Sequence, residues 1–248
     1  MYSLRSILPI LVSVLATIVA HSQSGTNQLW VDGTVGSAFA AYYKGEMELG
    51  YRAVVPGDTK WESLRVIPRV EAAPTAHWTF LLGTPAIYSE QENALKSFEV
   101  RALLGAKYNF TPFKRVQSRL NLRYEYRRIQ QSGGSEAQLS PRLRLRAEFL
   151  VPLDTRNYRS DSMWYALADA EAFVTLDKLV DEPFASRARF RVGLGRKFSY
   201  NWWAEMIYNL QESRNSLTDD DPAIDNIIRL RVKYYVTPRS RSKKAEKR

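Results

Sequence analysis

Cysteine is absent from the 248 residues. Its absence excludes a disulfide scaffold, a thiolate-ligated zinc or iron–sulfur centre, a catalytic thiol and a lipid-modified N-terminal cysteine. Histidine is nearly absent, with only His21 and His77, and hydroxyl nucleophiles need a base such as histidine to become reactive. No run of eighteen apolar residues occurs, so no hydrophobic helix can cross a membrane. No helical periodicity, low-complexity core or fixed-period repeat appears either, and nothing marks a second domain. What remains is a chain with 45% hydrophobic, 12% aromatic and 25% charged residues, enough apolar content to fold and too much for intrinsic disorder.

The first 22 residues read as an export signal. Arg5 precedes an apolar stretch from Ile7 to Ala20 broken by Pro9, and the small residues Ala20 and Ser22 stand at −3 and −1 of a cleavage point before Gln23. About fourteen apolar residues fall short of the roughly 20 that a spanning helix needs, so an anchor is disfavoured. At the other end, PRSRSKKAEKR carries six basic residues against Glu246, half of the net charge of +10. Residues 238–248 therefore read as a basic extension without regular structure. The body between, residues 23–237, keeps an ordinary charge once Arg5 and the tail are set aside, which argues against nucleic acid as a partner.

Along that body the dominant signal is alternation with period two, which sends successive side chains to opposite faces of a strand. VQSRLNLRYEYR places Val116, Ser118, Leu120, Leu122, Tyr124 and Tyr126 on one face and Gln117, Arg119, Asn121, Arg123, Glu125 and Arg127 on the other. KSFEVRALLGAKY, PRLRLRAEF, FASRARFRVGLGRKF, WWAEMIYNLQ and AIDNIIRLRVKYYV sort in the same way. Weaker strands lie near 29–38, 44–54, 61–71, 75–83 and 164–175. Polar links such as VVPGDTK, TPAIYSEQEN, QQSGGSEAQ, LDKLVDEP and SRNSLTDDDP alternate with short ones such as NFTPFK and KFSYN.

A soluble sandwich also alternates, but its wet face mixes lysine, glutamate, serine and threonine, whereas here that face is rich in arginine. Aromatic residues cluster towards strand ends, among them Trp30, Tyr42, Tyr43, Trp61, Trp78, Tyr88, Tyr108, Phe110, Trp164, Tyr165, Phe198, Tyr200, Trp202, Tyr234 and Tyr235. Such rings suit the girdles of a membrane barrel. The expectation is an all-β fold: a closed antiparallel transmembrane barrel in the bacterial outer membrane. Its partners would be outer-membrane lipid, lipopolysaccharide and the barrel assembly machinery. Eleven segments are counted where bacterial barrels have an even number, and 12 strands are favoured over 10.

The strands SRLNLRYEYR, PRLRLRAEF and ALADAEAFV, the pair SRARFRVGLGRKF and WWAEMIYNLQ joined by a tight turn, and the closing NIIRLRVKYYV resemble, in order and spacing, an uncharacterised outer-membrane barrel family called domain of unknown function 2490. The resemblance covers nearly the whole exported chain and implies fold and location; it implies no activity, cofactor or catalytic residue. The basic tail beyond Val236 departs from the usual barrel ending, in which an aromatic residue closes the last strand.

The inward face then supplies the candidate chemistry. Arg101, Arg119, Arg123, Arg127, Arg142, Arg144, Arg146, Arg187, Arg189, Arg191, Arg229 and Arg231 are expected there, against the acidic partners Glu99, Glu125, Glu148, Asp169, Glu171 and Glu205. Guanidinium groups stay protonated and grip carboxylate or phosphate in a fork, so a bore lined this way would favour small anionic solutes. The competing reading is a closed lumen plugged by pairing of the same charges. Asp169 and Glu171, two residues apart on one face, are read as partners of Arg187 and Arg189 rather than as a catalytic dyad. His77, with Thr75 and Thr79 on its side and Trp78 opposite, reads as an interfacial or lumen histidine. Glu92, Asn93 and the DDDP stretch match no calcium cage. No cofactor or metal is expected, and no enzyme.

Overall fold

The computed structural model describes residues 25–55, 60–91, 96–133, 136–156, 158, 160–176, 185–214 and 222–236. The expected signal (1–22), the basic tail, Glu92, Asn93 and the three aspartates of the DDDP stretch lie outside them. Twelve strands follow one another: β1 (Asn27–Ala38), β2 (Tyr43–Val54), β3 (Trp61–Ala72), β4 (Trp78–Gly83), β5 (Ala86–Gln91), β6 (Lys96–Asn109), β7 (Gln117–Gln131), β8 (Gln138–Pro152), β9 (Met163–Thr175), β10 (Ala185–Lys197), β11 (Trp202–Arg214) and β12 (Pro222–Val236). Each pairs with its neighbours, and β1 pairs with β12, so the sheet closes into a barrel with no free edge.

The segments fill eleven positions around the ring, because β4 and β5 share one. Both lie between β3 and β6. β4 pairs with Arg69–Ala72 and β5 with Trp61–Val66 of β3, while β6 pairs with both. The break falls at Thr84–Pro85, opposite Pro68. Proline has no N–H to give to a ladder, and the interruption is bridged by Thr84 N–H to the Pro68 carbonyl at 3.2 Å and Arg101 N–H to the Pro85 carbonyl at 2.9 Å. TPAIYSEQEN, expected as a link, thus contains β5: its proline and polar residues look like a loop, yet its backbone is held between two long strands.

An odd ring has a consequence. If every other neighbour is antiparallel, the first and last strands must run in the same direction, and β1 indeed pairs with β12 in parallel from Asn27↔Asn226 to Ser37↔Val236. The expectation of a wholly antiparallel barrel is corrected at this one seam. β1 therefore starts at one rim and β12 ends at the other. The start of β1 is fixed by Asp225, which accepts from Thr26 N–H (3.0 Å) and Thr26 Oγ1 (2.7 Å).

The polarity of the wall is inverted relative to a soluble protein. Leu104, Met206, Val232, Leu49, Leu64 and Phe80 are exposed on the outer face, while Asp32, Glu125, Arg127, Asp169 and Arg191 are buried inside. A ring whose outside is apolar and whose inside is charged is the arrangement of a transmembrane barrel, in which closure satisfies every backbone group internally. Around the rim that carries the β1–β2 turn, Trp78 packs on Tyr108 and Tyr108 on Phe110, both at 4.9 Å, and Trp202 packs on Tyr234 at 4.7 Å. These form a girdle. Four of the expected girdle residues do not belong to it, since Trp30, Trp61 and Tyr165 are buried in the interior and Tyr235 lines it.

The parallel seam is directly testable in a chain without native cysteine. Val31 and Leu230 face each other across it on the outer surface, and adjacent strands lie about 4.8 Å apart, within disulfide range. The double variant Val31→Cys/Leu230→Cys should cross-link under mild oxidation, seen as an altered mobility on a non-reducing gel. A Val31→Cys/Tyr234→Cys pair, out of register, should not.

Candidate anion-binding lumen

The alternation that builds the wall also sets its inner surface. On β6 to β10 the inward positions carry arginine and acidic residues. Opposite charges face each other at Arg119↔Glu148, Glu125↔Arg142, Arg146↔Glu171 and Arg191↔Asp169, and like charges at Arg101↔Arg127, Arg123↔Arg144 and Glu148↔Asp169, where the side chains reach diagonally for partners. Glu99 receives a fork from Arg101, with Nε at 2.7 Å and Nη2 at 2.9 Å, and a further bond from Arg127 Nε at 2.5 Å. Glu125 is shared by Arg101 (3.3 Å), Arg142 (2.7 Å) and Arg144 (2.5 Å). Arg144 continues to Glu171 at 2.8 Å, and Glu171 lies 3.5 Å from Arg189. Asp169 is held by Arg191 Nε at 2.6 Å, and Glu148 by Arg119 at 3.1 Å and Arg146 at 3.5 Å.

A second arc closes the circle. Arg229 reaches Asp32 across the parallel seam at 2.5 Å, and Glu48 takes Arg65 at 3.1 Å and Arg69 at 3.5 Å. Glu205 gathers Arg231, Lys233 at 2.7 Å and the Tyr165 hydroxyl at 2.5 Å. Asp32, Glu46, Glu48, Arg65, Arg69 and Glu71 were not singled out from the sequence; all but Asp32 obey the same rule in GEMELGYR and ESLRVIPRVE, and all six lie on strands recognised but not sorted into faces.

Of the expected arginines, eleven line the cavity; Arg187 does not. It sits where the β10–β11 register skips from Ser186 to Ala188, and it is exposed. A bulge drops one residue from the alternation, so the ladder resumes at Arg189. The expected acidic pairing shifts accordingly: Asp169 meets Arg191, and Glu171 meets Arg144 and Arg189. His77 lies at the girdle rim, its Nδ1 2.8 Å from the Asn109 carbonyl and its ring 5.7 Å from Tyr108. It is exposed rather than lumenal.

The lumen is uneven. Along β9 to β12 nearly every inward side chain is buried, including Met163, Tyr165, Leu167, Ile207, Asn209 and Ile227. Beside them lies a cavity of about 550 Å³ lined by residues of all twelve strands. At the girdle rim, the link 153–162 sends Tyr158 inward. Its ring meets Tyr165 edge-on at 5.9 Å and Lys197 Nζ at 4.5 Å, and its carbonyl accepts from Lys197 Nζ at 2.9 Å. Lys197 also stands 4.2 Å from the Trp203 ring, which packs on Tyr235. This aromatic and lysine cluster narrows that rim, and burial pushes the Tyr158 phenol above its ordinary titration range. Nothing in the sequence marks Tyr158 for that position.

The profile of one family matches residues 27–221, four-fifths of the chain. The chain belongs to that family, described as Protein of unknown function (DUF2490). No curated protein matches this DUF2490 member. Among solved structures it is similar to LpxR from Salmonella typhimurium, at 9% identity and a TM-score of 0.48 over 82% of this chain and 87% of that one. It is also similar to the translocator domain of the autotransporter NalP from Neisseria meningitidis, at 12% identity and a TM-score of 0.44 over 85% and 91% of the two chains.

Pairing within the network separates structural charges from spare ones. Glu125→Ala would leave Arg101, Arg142 and Arg144 short of a counter-charge, and breaking a buried pair costs about 3–5 kcal/mol. Arg123, with no carboxylate within 4 Å among the described residues, loses no ion pair in Arg123→Gln, and its stability should change by less than about 1 kcal/mol. Urea unfolding of the refolded barrel, followed by tryptophan fluorescence, measures both.

Proposed function

We propose that this chain is an outer-membrane barrel, exported by a cleaved N-terminal signal, that binds and passes small anionic solutes through its arginine-rich lumen. One observation carries the reading: eighteen lysines and arginines line the cavity against eight carboxylates. Counting Asp32 and Glu171 behind the wall still leaves eight positive charges in excess. Uncompensated charge in a low-dielectric interior is costly, and anions entering the cavity are its natural compensation. The cavity reaches from Gln91, Lys96 and Gln131 at one rim to Lys44, Asn109 and Tyr235 at the other, which supports passage as well as binding. Lipid and lipopolysaccharide would cover the apolar outer face, and insertion would need the barrel assembly machinery.

The Tyr158 cluster gives the closed-barrel alternative its specific support, because it narrows one end. The two readings separate in planar bilayers. Under a tenfold salt gradient the refolded chain from Gln23 on should give a steady conductance with a reversal potential on the anion side. Arg123→Gln should move that potential towards zero, and Tyr158→Ala should raise the conductance without changing its sign. A folded, heat-modifiable barrel that stays electrically silent both as wild type and as Tyr158→Ala would establish the closed reading instead.

A further inference from the structure

Within the charged lumen one group of arginines on β7, β8 and β10 is incompletely matched by carboxylates and hydrogen-bond acceptors. Arg123 on β7 makes no ion pair among the described residues; with its amide turned so that the oxygen faces the guanidinium, Asn121 accepts from Nε (3.2 Å) and Nη2 (3.1 Å), and Nη1 meets no acceptor among the described residues. Arg146 on β8 reaches Glu148 only at 3.5 Å, and its buried Nε has no hydrogen-bond partner. Arg191 on β10 spends Nε on Asp169, while its buried Nη2 makes no hydrogen bond. Arg119 gives Nη1 to Glu148 at 3.1 Å and leaves a buried Nε unpartnered.

These four belong together. Arg146 stands opposite Asn121, between Arg119 and Arg123 on β7, and of the charged groups it acts most strongly on both Arg123 and Arg191. All four border the same cavity. Gly105 stands opposite Arg123 in the β6–β7 register, where a Cβ would come within 3.2 Å of the Arg123 Cγ; glycine gives that side chain its space. Glu171, the next carboxylate, is divided among Arg144, Arg189 and, at 3.9 Å from its Nη2, Arg191.

We propose that Arg119, Arg123, Arg146 and Arg191 form a binding site for a small dianionic oxyanion of the phosphate type. The proposal rests on the anion reading of the lumen and deepens it. The four positive charges have Glu148 and Asp169 to themselves and only a share of Glu171, which also serves Arg144 and Arg189, so positive charge stays in excess here and a doubly charged anion is suited to balance it. Guanidinium edges offer paired N–H groups that match two oxygens at once; a halide can use only one donor of each pair. Arginines approaching from three strands suit a tetrahedral group with oxygens on several sides better than a flat carboxylate.

The test uses the refolded full barrel in detergent micelles, titrated calorimetrically with inorganic phosphate and with sulfate at fixed ionic strength set by chloride. Both oxyanions should bind one per barrel. Arg123→Gln should weaken binding at least tenfold and Arg123→Lys, which keeps the charge but loses the fork, by an intermediate factor. Arg128→Gln, on the outer side of the same strand, should bind as the wild type does. Heat-modifiable gel mobility verifies that each variant is folded. Phosphate binding no tighter than chloride, in a barrel that is anion-selective in bilayers, would overturn this site and leave the anion-passing function standing. Phosphate binding undiminished in a folded Arg123→Gln barrel would also overturn the site. A barrel that shows no anion preference in bilayers would remove the broader reading and this one with it.

Discussion

A carboxylate or guanidinium held inside a wall whose outer surface is apolar cannot fall back on bulk water, so it must meet an opposite charge, a hydrogen-bond partner or a ligand. The lumen of this barrel is organised by that demand. Glu125 joins arginines from β6 and β8, Glu171 joins β8 to β10, and Arg229 ties β12 to Asp32 of β1. Each of these ion pairs crosses a strand boundary that the backbone ladder already defines. The side chains thereby reinforce the register that placed them, including the parallel closure, where a slip of one residue would turn Arg229 out of the lumen.

Pairing is uneven around the ring, and the unevenness is what gives the proposed function its place. The β9–β12 side is packed with buried groups. The cavity is lined by all twelve strands, and Arg119, Arg123, Arg146 and Arg191 beside it are incompletely matched. Pairing all the arginines would favour a plug, whereas a few left unmatched beside a cavity are what the proposed anion binding requires. On that proposal, stability and anion binding are carried by different arginines of similar appearance, Arg144 for the first and Arg123 for the second.

Much of this was legible in the chain. Strict alternation in SRLNLRYEYR and PRLRLRAEF separates an arginine face from an apolar one, and the missing cysteines and apolar helices leave few folds that could use it. The segments near 29–38, 44–54 and 61–71 fall where β1, β2 and β3 form. The misread positions have physical causes. Arg187 obeys the alternation in sequence but sits at a bulge, which only the pairing of β10 with β11 reveals. Trp30 and Tyr165 look like girdle residues by position, but their faces turn them inward, Trp30 to stack beneath Arg52 at 3.6 Å and Tyr165 to donate to Glu205. Pro85 announces a loop, yet long neighbours on both sides hold the chain extended through it.

The sequence by itself determined the class of structure, a closed sheet with charge inside and hydrocarbon outside, because period-two patterning is local and each strand carries it independently. It also determined that basic charge would exceed acidic charge in the interior. The tertiary structure decided which arginine meets which glutamate, that eleven ring positions close through a parallel seam, that Tyr158 turns inward at one rim, and that Arg123 is left without a carboxylate. Those outcomes depend on register and on the order of strands around the ring, relations between segments far apart in the chain. Alternation within any one segment is compatible with many of them.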